Sequence, residues 1–135
     1  MRMSPVTRTF VLEGRRIDGI ASFYREVNRV LMPNEGWTLG ESLDALDDLL
    51  YGGIGELVDV EDPAIILRDH DHVRAALGVD ATRAYYLGKI ARPDVFHVER
   101  FGAALAELDA GSGATYFDLV LEVFGAHPHV RLELA

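Results

Sequence analysis

The sequence predicts an α/β fold: a small three-stranded parallel sheet with helices packed on it, in one domain over residues 1–135. Three observations carry that expectation. Strand-like runs at Arg8–Gly14, Pro63–Arg68 and His129–Ala135 are separated by stretches of helical periodicity. Strands that alternate with helices pair in parallel through crossovers, since a tight hairpin joins only antiparallel strands. A chain of 135 residues, 49% hydrophobic and 26% charged, is long enough for one core and too short for two.

The elements follow in order. "RTFVLEG" is a short β-type run ended by Gly14. Asp18 is the expected N-cap of a first helix, in which Ile20, Phe23, Tyr24, Val27, Val30 and Leu31 recur at three- and four-residue spacing up to Met32-Pro33. After the loop "NEGW", Leu43, Leu46, Leu49 and Leu50 form the buried stripe of a second helix, stopped by Gly52-Gly53. Its start has two readings, a Thr38–Glu41 capping box or a Ser42 cap. "PAIILR" is apolar without alternation, the pattern of a central strand covered on both faces. "DHVRAALG" is a short helix stopped at Gly78. Residues 79–110 read as a helical hairpin, with Asp80 capping one arm and Pro93-Asp94 starting the other, whose apolar face is Val98, Phe101, Leu105 and Leu108. "GSG" is a turn, "ATYFDLVLEVFGA" the last helix, and the alternating "HVRLELA" the third strand.

Charge narrows the function. The net charge of −9 argues against a nucleic-acid binder, which concentrates Lys and Arg on one face. Between Val30 and Leu67 there are nine acids and no Lys or Arg, whereas the remaining 13 acids are matched by 13 basic residues. A block of one sign makes a local field that attracts a cationic partner and speeds its arrival. No cysteine is present, no early apolar run resembles a signal peptide, and no stretch reaches the roughly 18 apolar residues of a membrane span, so the cytoplasm is the expected compartment.

Catalytic and cofactor signatures are sparse. The sequence holds no phosphate-binding glycine loop, no GxSxG and no HExxH. No cofactor or metal is therefore expected, and the chain reads as a binding protein without catalysis. A second reading, a small metal-dependent hydrolase, would use His70 and His72 of "DHDH" with neighbouring carboxylates. Glu41, Asp44, Asp48 and Tyr51 recur at spacings of three, four and three, with Asp47 one turn from Asp44, and so line one side of the second helix. Like charges at these spacings cost roughly 0.2–0.5 kcal/mol per pair, a cost that selection for a cationic partner or simple drift on a solvent-facing side would explain. Trp37 stands just ahead of this face and reads either as an aromatic contact or as a core residue under the loop.

"GESLDALDDLLYGG" resembles the second-helix motif of the barstar family of ribonuclease inhibitors. Gly40, Glu41, Leu43, Asp44, Ala45, Leu46, Asp48 and Leu50 match the family pattern, and Ser42 replaces its asparagine. The order of elements agrees, and "AIILRDHDHVRAALG" is similar to a segment of longer bacterial members, which implies that residues 79–110 are an insertion of that branch. The resemblance implies a barstar-like fold and an inhibitor that plugs the active site of a cationic ribonuclease with an acidic helix. Asp48 would take the place of a substrate phosphate, and Asp44 would fix the adjacent loop. Asp47 stands where the family archetype keeps an aromatic residue, which implies a different ribonuclease as partner, with Trp37 and Tyr51 contributing aromatic contact from shifted positions. A barstar fold that binds a non-nuclease protein, or assembles with itself through residues 79–110, is the remaining alternative.

Overall fold

The strands β1 (Thr7–Glu13), β2 (Asp62–Arg68) and β3 (Arg131–Leu134) form one parallel sheet in the order β1-β2-β3. They belong to a computed structural model that describes residues 7–135. The first six residues, part of the stretch read as free of a signal peptide, lie outside the described residues. Six helices follow the chain: α1 (Ile20–Leu31), α2 (Leu43–Tyr51), α3 (His70–Ala76), α4 (Val79–Ile90), α5 (Val98–Asp109) and α6 (Tyr116–Gly125). The fold is thus α/β with a three-stranded parallel sheet, as the alternation of runs predicts. Among the described residues no helix is long and apolar enough to cross a membrane.

Register decides where the core sits. Phe10 pairs with Ile65, Leu12 with Leu67 and Ile65 with Leu132, so these side chains share one face. Against it pack Phe23, Val27 and Leu31 of α1, Leu46, Leu49 and Leu50 of α2, and Phe117, Val120 and Phe124 of α6. The opposite face carries Thr9, Val11, Ile66 and Glu133, where Val11 and Ile66 are only half-buried. The expectation that β2 is sealed on both faces therefore holds only in part, because the apolar run in "PAIILR" reflects its central place between two strands as much as cover above and below.

Helix starts differ from the sequence reading in three places. Asp18 does not cap α1. The cap position is Gly19, and the buried Ser22 hydroxyl reaches back to accept from the amides of Asp18 (2.7 Å) and Gly19 (3.0 Å). α4 starts at Val79 after Gly78, which leaves Asp80 in the first turn, where a carboxylate still favours the positive end of the helix dipole. α5 starts at Val98, not at Pro93-Asp94, because His97 is the cap and its Nδ1 accepts from the Arg100 amide at 3.1 Å. The hairpin itself is present: α4 and α5 pack against each other, with Tyr86 stacked near Phe101.

Two buried polar groups fix the layers. Glu26 on α1 accepts from both Nε and Nη2 of Arg29 at 2.7 Å and from the Glu13 amide at 2.7 Å, which ties α1 to the end of β1. Burial alone would raise its carboxyl, but those hydrogen bonds and the Arg29 and Arg16 charges hold it below the ordinary value. Thr82, fully buried on α4, donates to the Gly78 carbonyl and accepts from the Tyr116 amide, each at 2.7 Å. That hydroxyl couples the hairpin to the first turn of α6.

Candidate partner-binding face

The start of α2 is settled by Ser42, whose hydroxyl accepts from the Ala45 amide at 3.1 Å, so the Thr38–Glu41 box is not formed. Its end is set by Gly52, which sits at φ 98 in the left-handed region that a side chain disfavours. Leu46, Leu49 and Leu50 are fully buried beneath it. The opposite side carries Asp44, Asp47, Asp48 and Tyr51, all exposed, with Tyr51 at 79%. Glu41 lies outside the helix, one residue before the cap, and flanks this face rather than sitting on it.

The loop ahead of α2 is pinned rather than free. Asn28 on α1 accepts from the Leu39 amide (2.7 Å) and donates to its carbonyl (3.3 Å), while the Leu39 side chain is buried. This leaves Trp37 half exposed at the rim of an open groove with Met32, Pro33 and Thr38, so of its two readings the structure selects the exposed one. The Glu35 carboxylate accepts from the Gly55 amide at 3.1 Å, and Asn34 donates to Glu56 at 3.2 Å. The loops before and after α2 are thereby joined.

Beneath Glu41 and Asp44 lies a tyrosine cluster. The hydroxyls of Tyr24 on α1 and Tyr116 on α6 are 2.6 Å apart, and Tyr85 on α4 meets Tyr116 edge-on, with ring centres 5.1 Å apart. Burial pushes the Tyr24 phenol up to about 12; the Tyr116 hydrogen bond opposes the rise, and the charges of Tyr85 and Glu41 add to it. Burial, then the hydrogen bond to Tyr24, raises Tyr116 further. Tyr85 is raised by burial, then by Tyr86 and Asp44. These phenols stay neutral under the acids and add no charge to the face.

The nine acids divide by what they touch. Glu56 meets Arg8 (3.7 Å), Asp62 meets Arg131 (3.2 Å), and Glu35 holds the loop. Asp47 is hydrogen-bonded to Nε2 of His127 at 2.6 Å. His127 is nearly buried and stacks edge-on with His129, whose Nε2 donates to the Leu50 carbonyl at 3.1 Å, one of the carbonyls that the end of a helix leaves unpaired. Glu41, Asp44, Asp48, Asp59 and Glu61 have no ion pair or side-chain hydrogen bond among the described residues.

Asp47 is therefore separated from its neighbours by chemistry that sequence reasoning missed. The signal lay in "HPH" after the last helix: two histidines in a turn are well suited to donate to the end of an adjacent helix. His70 and His72 do not converge. They occupy the first turn of α3, where His70 meets the Ala135 carbonyl (2.8 Å) and Asp71 (3.3 Å) and His72 meets Asp18 (3.6 Å). Among the described residues no group of three His, Asp or Glu side chains is arranged to hold a metal ion. Compared with protein-family models and with curated proteins, the chain matches none.

Asp44 and Asp48 differ in what the fold gains from them. Asp44 is in the first turn of α2, where the dipole favours a carboxylate. Asp48 lies in the last turn, where the dipole disfavours one, and it has neither a cap to make nor a cation beside it among the described residues. Nothing in the packing accounts for an ionised group there.

Proposed function

We propose that this chain is a barstar-like protein inhibitor that binds a cationic ribonuclease and blocks its active site with α2. The observation that carries the reading is Asp48, an exposed carboxylate at the unfavourable end of a helix dipole, one turn from the fully presented ring of Tyr51. A carboxylate pushed among the Arg, Lys and His side chains of a nuclease site substitutes for a phosphate and makes charge-assisted hydrogen bonds. Asp44 and Glu41 extend the negative field towards the loop, and Trp37 and Tyr51 supply aromatic contact at its two ends. The chain acts without catalysis or cofactor, from the cytoplasm of the cell it protects.

The test is inhibition. The protein is titrated into each basic ribonuclease secreted by, or encoded in, the producing cell, and RNA cleavage is followed. One of them is expected to lose activity at one equivalent. Since a hydrogen bond to a charged group is worth about 1.5–3 kcal/mol, Asp48→Ala should weaken inhibition roughly 10- to 100-fold. The on-rate should fall as salt rises, because exposed charges are screened over about 8 Å at physiological ionic strength. Unchanged inhibition by the Asp44→Ala, Asp48→Ala double variant would reject the site, and a set of basic ribonucleases that all stay active would reject the function.

A further inference from the structure

β3 is an edge strand. Ala135 donates its amide to the Leu67 carbonyl, and Arg131 and Glu133 stand opposite Ala64 and Ile66 of β2. Alternate residues of a strand bond to the same neighbour, so Arg131, Glu133 and Ala135 direct their backbone groups to β2, and Leu132 and Leu134 direct theirs outward. Among the described residues no strand pairs with that outer edge. Beside it runs an open groove of about 530 Å³ between β3 and α6, lined by Leu121, Phe124, Pro128, Val130 and Leu132. Leu134 is 39% exposed.

Edges of this kind are ordinarily guarded by charge, which repels a second edge. Here the guard alternates in sign along "VRLEL". An antiparallel pairing of two copies centred on Leu132 sets Arg131 opposite the second copy's Glu133, and Glu133 opposite its Arg131. Leu132 then faces Leu132, and Val130 faces Leu134. The same alternation that would make a parallel copy repel therefore makes an antiparallel copy attract.

We infer that the outer edge of β3 is a self-association site, at which a second copy of this chain adds its own β3 antiparallel and joins the two sheets into one of six strands. The two-fold axis stands perpendicular to the sheet, so both copies of α6 lie on the same side and cover the Leu132 pair from above. The outward amides of Leu132 and Leu134, which the fold itself leaves unused, become donors across the axis. The site lies on a different element from α2, so it neither needs nor excludes a ribonuclease.

Sedimentation equilibrium of the whole chain tests this over concentrations from about 10 μM to about 1 mM, the range expected of an interface this small. The protein should pass from monomer to dimer. Glu133→Arg keeps the Arg131–Asp62 contact but opposes arginine to arginine, and Arg131→Glu opposes acid to acid; each should raise the dimer dissociation constant roughly 10-fold or more. Mixed in equal amounts the two variants become complementary and should form a heterodimer as tight as the native pair. Leu134→Pro removes an outward amide only, so it should abolish the dimer while circular dichroism and melting show the monomer folded. A monomer throughout, a dimer indifferent to these variants, or a mixture that fails to pair would overturn the inference.

Discussion

Removing the His127–Asp47 contact separates the acid that α2 uses to hold itself from the acids that it leaves unpaired among the described residues. The perturbation is the set His127→Ala, Asp47→Ala and the double variant. The contact is short, 2.6 Å, and one partner is ionised, the type of bond worth about 1.5–3 kcal/mol when shielded. Asp47, however, is 55% exposed, and solvent screening brings the expected coupling down to about 1 kcal/mol. His127→Ala on its own should cost more, about 2 kcal/mol, because its ring is 11% exposed and its stacking on His129 is lost with the bond. For a chain of this length that lowers the melting temperature by about 6–8 °C. Urea unfolding of the four proteins at pH 7 yields the coupling directly. A value under about 0.3 kcal/mol, the scatter of independent sites, would show that Asp47 is not held by His127. In that case Asp47 rejoins Asp44 and Asp48 on the face. If the coupling is found, the proposed inhibitor role predicts that Asp47→Ala weakens ribonuclease inhibition far less than Asp48→Ala.

Two further outcomes follow from the interior. Thr82→Val leaves the Tyr116 amide without its acceptor and should cost about 1–3 kcal/mol, with Thr82→Ser restoring most of it and amide exchange at Tyr116 reporting the loss; a valine variant as stable as the parent would show that the hairpin is held by apolar packing alone. Tyr24 and Tyr116 are neutral in the fold and raised above the ordinary phenol value near 10, so the stability they contribute is complete below about pH 10 and lost as pH rises towards about 12. Unfolding measured from pH 8 to pH 12 should show that decline, and Tyr24→Phe should flatten it; an unchanged slope in the phenylalanine variant would place the titration elsewhere.

Local signals in the sequence were enough for most of the architecture. The leucine stripe and glycine stop of α2, the hairpin and the last helix depend largely on contacts between near neighbours in sequence, where periodicity and capping chemistry are written, and the three strand runs show in their local apolar patterning although their pairing is distant. What stayed hidden were choices made across distance. Asp18 looks like a cap, yet the buried Ser22 hydroxyl does that work from inside the helix. Pro93-Asp94 looks like a helix start, yet a histidine three residues later takes the role. On the candidate face, charge density was visible as the block from Glu35 to Asp62, but its division was not: Arg8, His127 and Arg131 each come from far along the chain to pair with one acid. Trp37 remained ambiguous for the same reason, since the bonds that pin its loop, Asn28 to Leu39, Glu35 to Gly55 and Asn34 to Glu56, join residues well apart in the sequence.

The helical hairpin sits inside the connection from β2 to β3, where Ala64 and Arg131 are partners 67 positions apart. Closing a loop costs entropy that grows only as the logarithm of its length, about 0.6 kcal/mol for each doubling. Taking residues 79–110 out of that connection would roughly halve it, so the hairpin adds no more than about that amount to the difficulty of bringing β3 home. Its own contacts are nearest neighbours in sequence and form quickly, whereas the strand pairs wait on distant partners, an order in which α4 and α5 are in place before the sheet closes. A segment with so small a thermodynamic burden, docked on α6 through the buried Thr82 hydroxyl and the edge of Tyr85, is a part of the molecule whose length can change while the strands and α2 keep their places.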